Sequence, residues 1–144
     1  MRSALLLLTF IASPAIAQVT VTDPWTRATA PGARIAAGYM TIRNAGKTPD
    51  KLVSASSPAA EKVETHLTVK DGDIFRMREV KGYDIPAGGS FELKPGGAHL
   101  MLVNVKAPLK EGDKVPLTLR FQNAGEVKTL LRVGRLTDTG QHRH

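Results

Sequence analysis

Cysteine is absent from all 144 residues, which excludes disulfides, thiol redox chemistry and every thiolate metal site and leaves packing alone to hold the fold. Aromatic residues make up only 5% of the chain, with a single Trp, and no aromatic-plus-basic motif marks a nucleic-acid partner. No apolar run approaches the roughly 20 residues that a membrane helix needs. Helical periodicity is hard to find as well. The longest apolar run lies in the opening "MRSALLLLTFIASPAIAQ", where a short basic start leads into it and Ala15-Ile16-Ala17 supplies the small-x-small pattern that a signal peptidase cuts after. Residues 1–17 therefore read as a signal peptide cleaved after Ala17, residues 18–135 as one domain, and residues 136–144 as a flexible polar tail. An exported, monomeric protein without a transmembrane segment is expected. The formal net charge of +7, or +6 once Arg2 leaves with the leader, is scattered singly and reads as a solvated surface.

Short segments rich in Val, Thr, Ile, Leu and Phe recur between clusters of Gly, Pro, Asn and Asp, the pattern of an all-β domain. Strands are expected near 18–22, 35–43, 51–56, 62–70, 73–80, 90–94, 98–105, 115–122 and 126–133, with "YDIPAGGS" (83–90) and "KPGGA" (94–98) among the turns. About nine strands in one domain imply a β-sandwich or barrel.

Asp71-Gly72 is a strong hairpin signal. A type I′ turn centred on this pair would set Lys70 against Asp73, Thr68 against Phe75 and His66 against Met77. The alternation then divides the hairpin: Val63, Leu67, Val69, Ile74 and Val80 face a core, while Glu64, His66, Thr68, Met77 and Glu79 share the other face. In "GGAHLMLVNV", His99 and Met101 are two apart and project together, with Leu100 and Leu102 turned to the core.

Two imidazoles and two thioethers make a soft, neutral ligand set. Such a set suits Cu(I), has little to offer Ca or Mg, and cannot make a blue-copper centre without a cysteine thiolate. His66, Met77, His99 and Met101 are accordingly the candidate metal ligands. Their spacing, H-x10-M-x21-H-x-M, resembles the motif of the periplasmic copper chaperones of the PCuAC family, and all four positions match. The flanks "VTDPWTRATAPGARIAAGYMTIRNAG" (19–46) and "KPGGAHLML" (94–102) are similar to that family too. The resemblance implies a cupredoxin-like, Greek-key β-sandwich in the periplasm that carries Cu(I). It further implies delivery toward the CuA centre of cytochrome c oxidase, with the CuA-bearing oxidase subunit or an assembly factor as partner.

Each residue also has a plainer reading. A lone His is more often structural, and Met is a common core filler; Met40, in "GYMTIR", and Trp25 are read that way, as core residues with a lesser prospect of a place near the metal. His142 and His144 end the tail as a one-spaced pair and are the candidate for a weak Cu(II) site. The competing function is a structural or adaptor β-sandwich of the periplasm whose His and Met are incidental. An enzyme is disfavoured, because no Ser-His-Asp context and too few histidines for a catalytic metal set are present.

Overall fold

A computed structural model describes residues 7–9 and 18–138. The cleavage site after Ala17 and the histidines of the tail lie outside the described residues. Within them the chain forms ten strands and no helix: β1 (Val19–Arg27), β2 (Ile35–Asn44), β3 (Asp50–Ser56), β4 (Ala60–Asp71), β5 (Ile74–Glu79), β6 (Tyr83–Ile85), β7 (Ser90–Leu93), β8 (Ala98–Val105), β9 (Lys114–Phe121) and β10 (Gly125–Gly134). Hydrogen bonding runs in the order β5-β4-β8-β7-β2-β1-β10-β9-β3-β6, and an added pairing of β3 with β4 at Ala55 and Val63 closes the sheet on itself. The result is the expected all-β, cupredoxin-like sandwich.

Alternation places the core. Leu100 and Leu102 of β8, Ile42 of β2, Leu52 of β3, Leu119 of β9 and Leu131 of β10 are all fully buried, each one residue away from a more exposed neighbour. Trp25 and Met40 are buried too, Trp25 against the ring of Tyr39 with centroids 4.7 Å apart. Both belong to the packed interior, as their sequence context suggested.

Two elements depart from expectation. β1 continues past Thr22 to Arg27, because the Asp23-Pro24 step is taken up by a bulge between Thr22 and Trp25, where Asp23 adopts a φ of 50°. A bulge is one of the few places within a sheet that accepts proline. Beyond it, Trp25, Thr26 and Arg27 pair in parallel with Arg132, Val133 and Gly134 of β10. The second departure is β6, which lies inside the segment expected to be a turn and pairs with β3 through Tyr83 opposite Leu52 and Ile85 opposite Asp50. Three residues between Gly82 and Pro86 are too few for a period-two signal. Buried Asn44 ties this region to β2: its amide donates to the carbonyls of Thr48 (2.8 Å) and Ile85 (3.3 Å), and its oxygen accepts the Gly46 N–H (3.0 Å).

Gly82 adopts a φ of 80°, and a Cβ there would run into the carbonyl oxygen of Leu52. Positive φ and backbone contact act together, so Gly82→Ala should destabilise the protein by about 1 kcal/mol or more in denaturant unfolding. An unchanged midpoint would contradict the close approach of β6 to β3.

Candidate metal centre

Three neighbouring strands, β5, β4 and β8, carry the four candidate ligands. The β4–β5 register sets Asp71 opposite Ile74, Thr68 opposite Met77 and His66 opposite Glu79. This corrects the expected register by two residues. The two-residue loop is Gly72-Asp73 rather than Asp71-Gly72, and of its residues only Gly72 has a positive φ (63°). That is the requirement of a type II′ turn, with glycine at the first central position, and not of type I′. A shift of two preserves parity, so Met77 and His66 still share a face, but they meet diagonally. In such a diagonal the Cβ atoms are about 7–8 Å apart or slightly less, within reach of long side chains.

Across the other edge of β4, His66 stands opposite His99, and Glu64 opposite Met101. The face is therefore a small grid. One row holds Glu79, His66 and His99; the next row toward the hairpin tip holds Met77 and Thr68; the row on the other side holds Glu64 and Met101. The two methionines flank the histidine pair from opposite corners. Residue 97, next to Thr68 in space, is a glycine, and the Thr68 N–H donates to its carbonyl (3.1 Å).

The imidazole rings lie nearly parallel, with centroids 5.6 Å apart and planes inclined by 27°. Both histidines are buried, at 9% and 4% exposure, whereas Met77 is 65% exposed and Met101 half-buried. Water therefore reaches Met77 freely but not the imidazoles. Each ring has one nitrogen engaged. His66 Nε2 donates to Glu64 Oε2 at 2.7 Å, and His99 Nδ1 donates to the Gly97 carbonyl at 3.3 Å. The remaining nitrogens, His66 Nδ1 and His99 Nε2, are buried without a hydrogen-bond partner among the described residues. An unpartnered buried acceptor costs about 1–3 kcal/mol, and a cation that takes the lone pair removes the deficit. The residues present therefore fit a soft metal ion. Among the described residues no group of three or more His, Cys, Asp or Glu is placed to hold one, so a complete ligand set has to draw on the thioethers.

Charges around the pair reinforce this arrangement. Lys62 Nζ lies 2.8 Å from Glu64 Oε1. That contact, followed by the one with His66, holds the Glu64 carboxyl below the ordinary carboxylate range. Burial lowers the pKa of His99, outweighing the Gly97 carbonyl, which favours the neutral form that can ligate.

The backbone beneath the rings is held by Tyr83, a residue that the sequence reading did not single out. From β6 its hydroxyl accepts the His66 N–H (2.9 Å) and shares its own hydrogen between the carbonyls of His66 (2.6 Å) and His99 (2.7 Å). Thr65 secures the same strand, donating to the Val80 carbonyl (2.6 Å) and accepting the Gly82 N–H (3.2 Å). Local pattern contains no signal for Tyr83, because its partners are 16 and 17 residues away.

The closed all-β sandwich thus brings two buried imidazoles and two thioethers onto one face of neighbouring strands. The chain belongs to the LpqE-like family, whose profile matches residues 19–133. Lxx21020 of Leifsonia xyli subsp. xyli, named as a lipoprotein, is 40% identical over 106 residues. The match covers 73% of this chain and 63% of that relative, so the chain spans less than two thirds of the relative's length. The fold is similar to that of the copper-bound PCuAC domain from PmoF2, with a TM-score of 0.73 and 26% identity over 84% of this chain and 96% of that one. It is similar also to CuI-DR1885 from Deinococcus radiodurans, with a TM-score of 0.65 and 31% identity over 90% and 84% of the respective chains. The solved domains of PmoF2 and PmoF1 are PCuAC domains, in agreement with the motif in the sequence.

The buried Tyr83 hydroxyl sets an alkaline limit on this site. Burial raises its pKa from 10.0 to about 12, against a smaller opposing effect of backbone hydrogen bonding at His66 and His99. Between these values the unfolded chain has lost a proton that the folded chain keeps, so stability falls as pH rises from about 10 to about 12. Alkaline titration of phenolate absorbance, with Tyr83→Phe to identify the band, should find a tyrosine ionising near pH 12 together with unfolding. A Tyr83 midpoint near 10 in the folded protein would contradict the hydroxyl's position between the strands.

Proposed function

We propose that this protein is a carrier of Cu(I) that binds one ion through His66, Met77, His99 and Met101 and passes it to a partner by ligand exchange. The observation that carries the reading is the pair of buried, unpartnered nitrogens, His66 Nδ1 and His99 Nε2, on cross-strand neighbours with a thioether at each flank. Structural similarity to a copper-bound PCuAC domain and to CuI-DR1885 supports the choice of metal. The histidines supply geometry and burial; the methionines supply the softness that favours Cu(I) over Zn(II). All four ligands are neutral, so the bound ion keeps its charge and transfers favourably to a partner offering thiolates. Exposed Met77 is the natural first point of exchange, since an incoming ligand reaches it without disturbing the buried imidazoles.

The cellular role follows the same line. Export to the periplasm fits the leader-like opening and the lipoprotein names of the relatives, and no helix among the described residues is long and apolar enough to cross a membrane. A thioether site suits an oxidising compartment, where thiols are drawn into disulfides. The partner we assign is a copper-accepting protein, with the CuA centre of cytochrome c oxidase as destination. Binding and handover require no bond-making chemistry, and we assign no catalytic residue.

Anaerobic titration against a competing Cu(I) chelator should give one ion per chain. Met77→Ala and Met101→Ala should each weaken binding by more than the roughly 10–100-fold typical of losing a ligand's hydrogen-bond partner. Stability of the copper-free variants should change by no more than about 1 kcal/mol. Core methionines would instead cost about 2–5 kcal/mol. Large destabilisation with unchanged Cu(I) affinity would return both residues to the core and remove the copper reading.

A further inference from the structure

Glu64 lies outside the motif and cannot reach the metal through the ring nitrogen that it already holds. Its carboxylate accepts a hydrogen bond from His66 Nε2 at 2.7 Å, and Lys62 Nζ at 2.8 Å anchors the other oxygen. A carboxylate has no hydrogen to give, so the hydrogen of a neutral His66 ring must sit on Nε2, which leaves the Nδ1 lone pair free. For His99 the same logic runs the other way: the Gly97 carbonyl can only accept, so Nδ1 carries the hydrogen and Nε2 is free. The two buried nitrogens without partners are the two that this assignment leaves bare.

We propose that Glu64 is a positioning residue that fixes the tautomer of His66, so that copper is held by Nδ1 of His66 and Nε2 of His99, an unlike pair of nitrogens. The inference rests on the copper reading above and adds to it. Opposite tautomers let two rings facing each other from adjacent strands both present a lone pair without rotating either ring out of its packed position. A Glu at residue 64, two before His66 on the same strand, lies on the same face and so reaches the ring of His66. Its cross-strand partner is Met101, which places the carboxylate beside one of the thioether positions as well. The arrangement is a carboxylate–histidine–metal relay of the kind that orients ligands in metal sites generally.

The test begins without copper. Long-range nitrogen–proton NMR of the copper-free full chain, near pH 8.5 where imidazoles are neutral, should give His66 the Nε2–H pattern and His99 the Nδ1–H pattern. Glu64→Ala should turn His66 into a mixture of tautomers and weaken Cu(I) binding by about 10–100-fold. Glu64→Gln keeps a carbonyl oxygen able to accept from Nε2 and should retain the tautomer and most of the affinity. Cu(I) is diamagnetic, so loading the wild-type chain should shift the nitrogen resonances of His66 Nδ1 and His99 Nε2 most. An Nδ1–H tautomer at His66 in the wild-type chain overturns the inference. So does an Nε2 shift at His66 on copper binding, or a Glu64→Ala variant with unaltered tautomer and affinity. Failure of the wild-type chain to bind Cu(I), with the tautomers as expected, overturns instead the copper reading on which the metal half of the inference stands.

Discussion

His66 Nδ1 and His99 Nε2 are withdrawn from water with no hydrogen-bonding group among the described residues to meet them. The copper-free fold carries this cost, on the order of 1–3 kcal/mol for each nitrogen, because the strands that carry the rings are held from elsewhere. Leu100 and Leu102 fasten β8 into the core on either side of Met101, and Val63 and Leu67 pack β4 against the same cluster. Neither strand is free to turn its histidine outward without losing that burial. The two imidazoles are thus held in place by the fold itself.

Tyr83 makes the preparation specific. Alternation fixes which face a side chain occupies, but not how far apart two backbones stand. The hydroxyl between His66 and His99 takes part in the β4–β8 pairing at the position where the two histidines face each other. It is delivered by β6, which is anchored on β3 and passes close to the Leu52 carbonyl at Gly82. Two of the three residues of β6, Tyr83 and Ile85, are buried in the core, and the strand connects the histidine pair to β3.

Much of this was legible in the sequence where period two applies. The faces of β4 and β8 follow from alternation alone, and the observed turn, displaced by one residue, preserves parity because the register moved by two; the expected core role of Ile74 does not hold, since β5 is exposed at every position and Ile74 itself is 57% exposed. The position of Met77 opposite Thr68 was not legible, since Asp71, Gly72 and Asp73 offer two placements of a two-residue loop that differ only in which residue takes positive φ. Three strand residues at Tyr83–Ile85 leave no periodic signal, and the bulge that carries β1 through Asp23-Pro24 looks locally like a strand end. Glu64 was visible as a member of the ligand face. Its hydrogen bond to the imidazole required coordinates, because three rows of side chains compete for the same space.

In the proposed Cu(I) site the two buried imidazole nitrogens would set the position, and the two thioethers, one of them exposed, would set the softness and the route of exchange. X-ray absorption at the copper edge of the Cu(I)-loaded protein tests this most directly, because sulfur and nitrogen scatterers are separable by distance and strength. About two sulfur and about two nitrogen neighbours are expected, sulfur near 2.3 Å and nitrogen near 2.0 Å by analogy with other late first-row ions. A shell of nitrogen and oxygen alone, with no sulfur scattering, would contradict the proposed site.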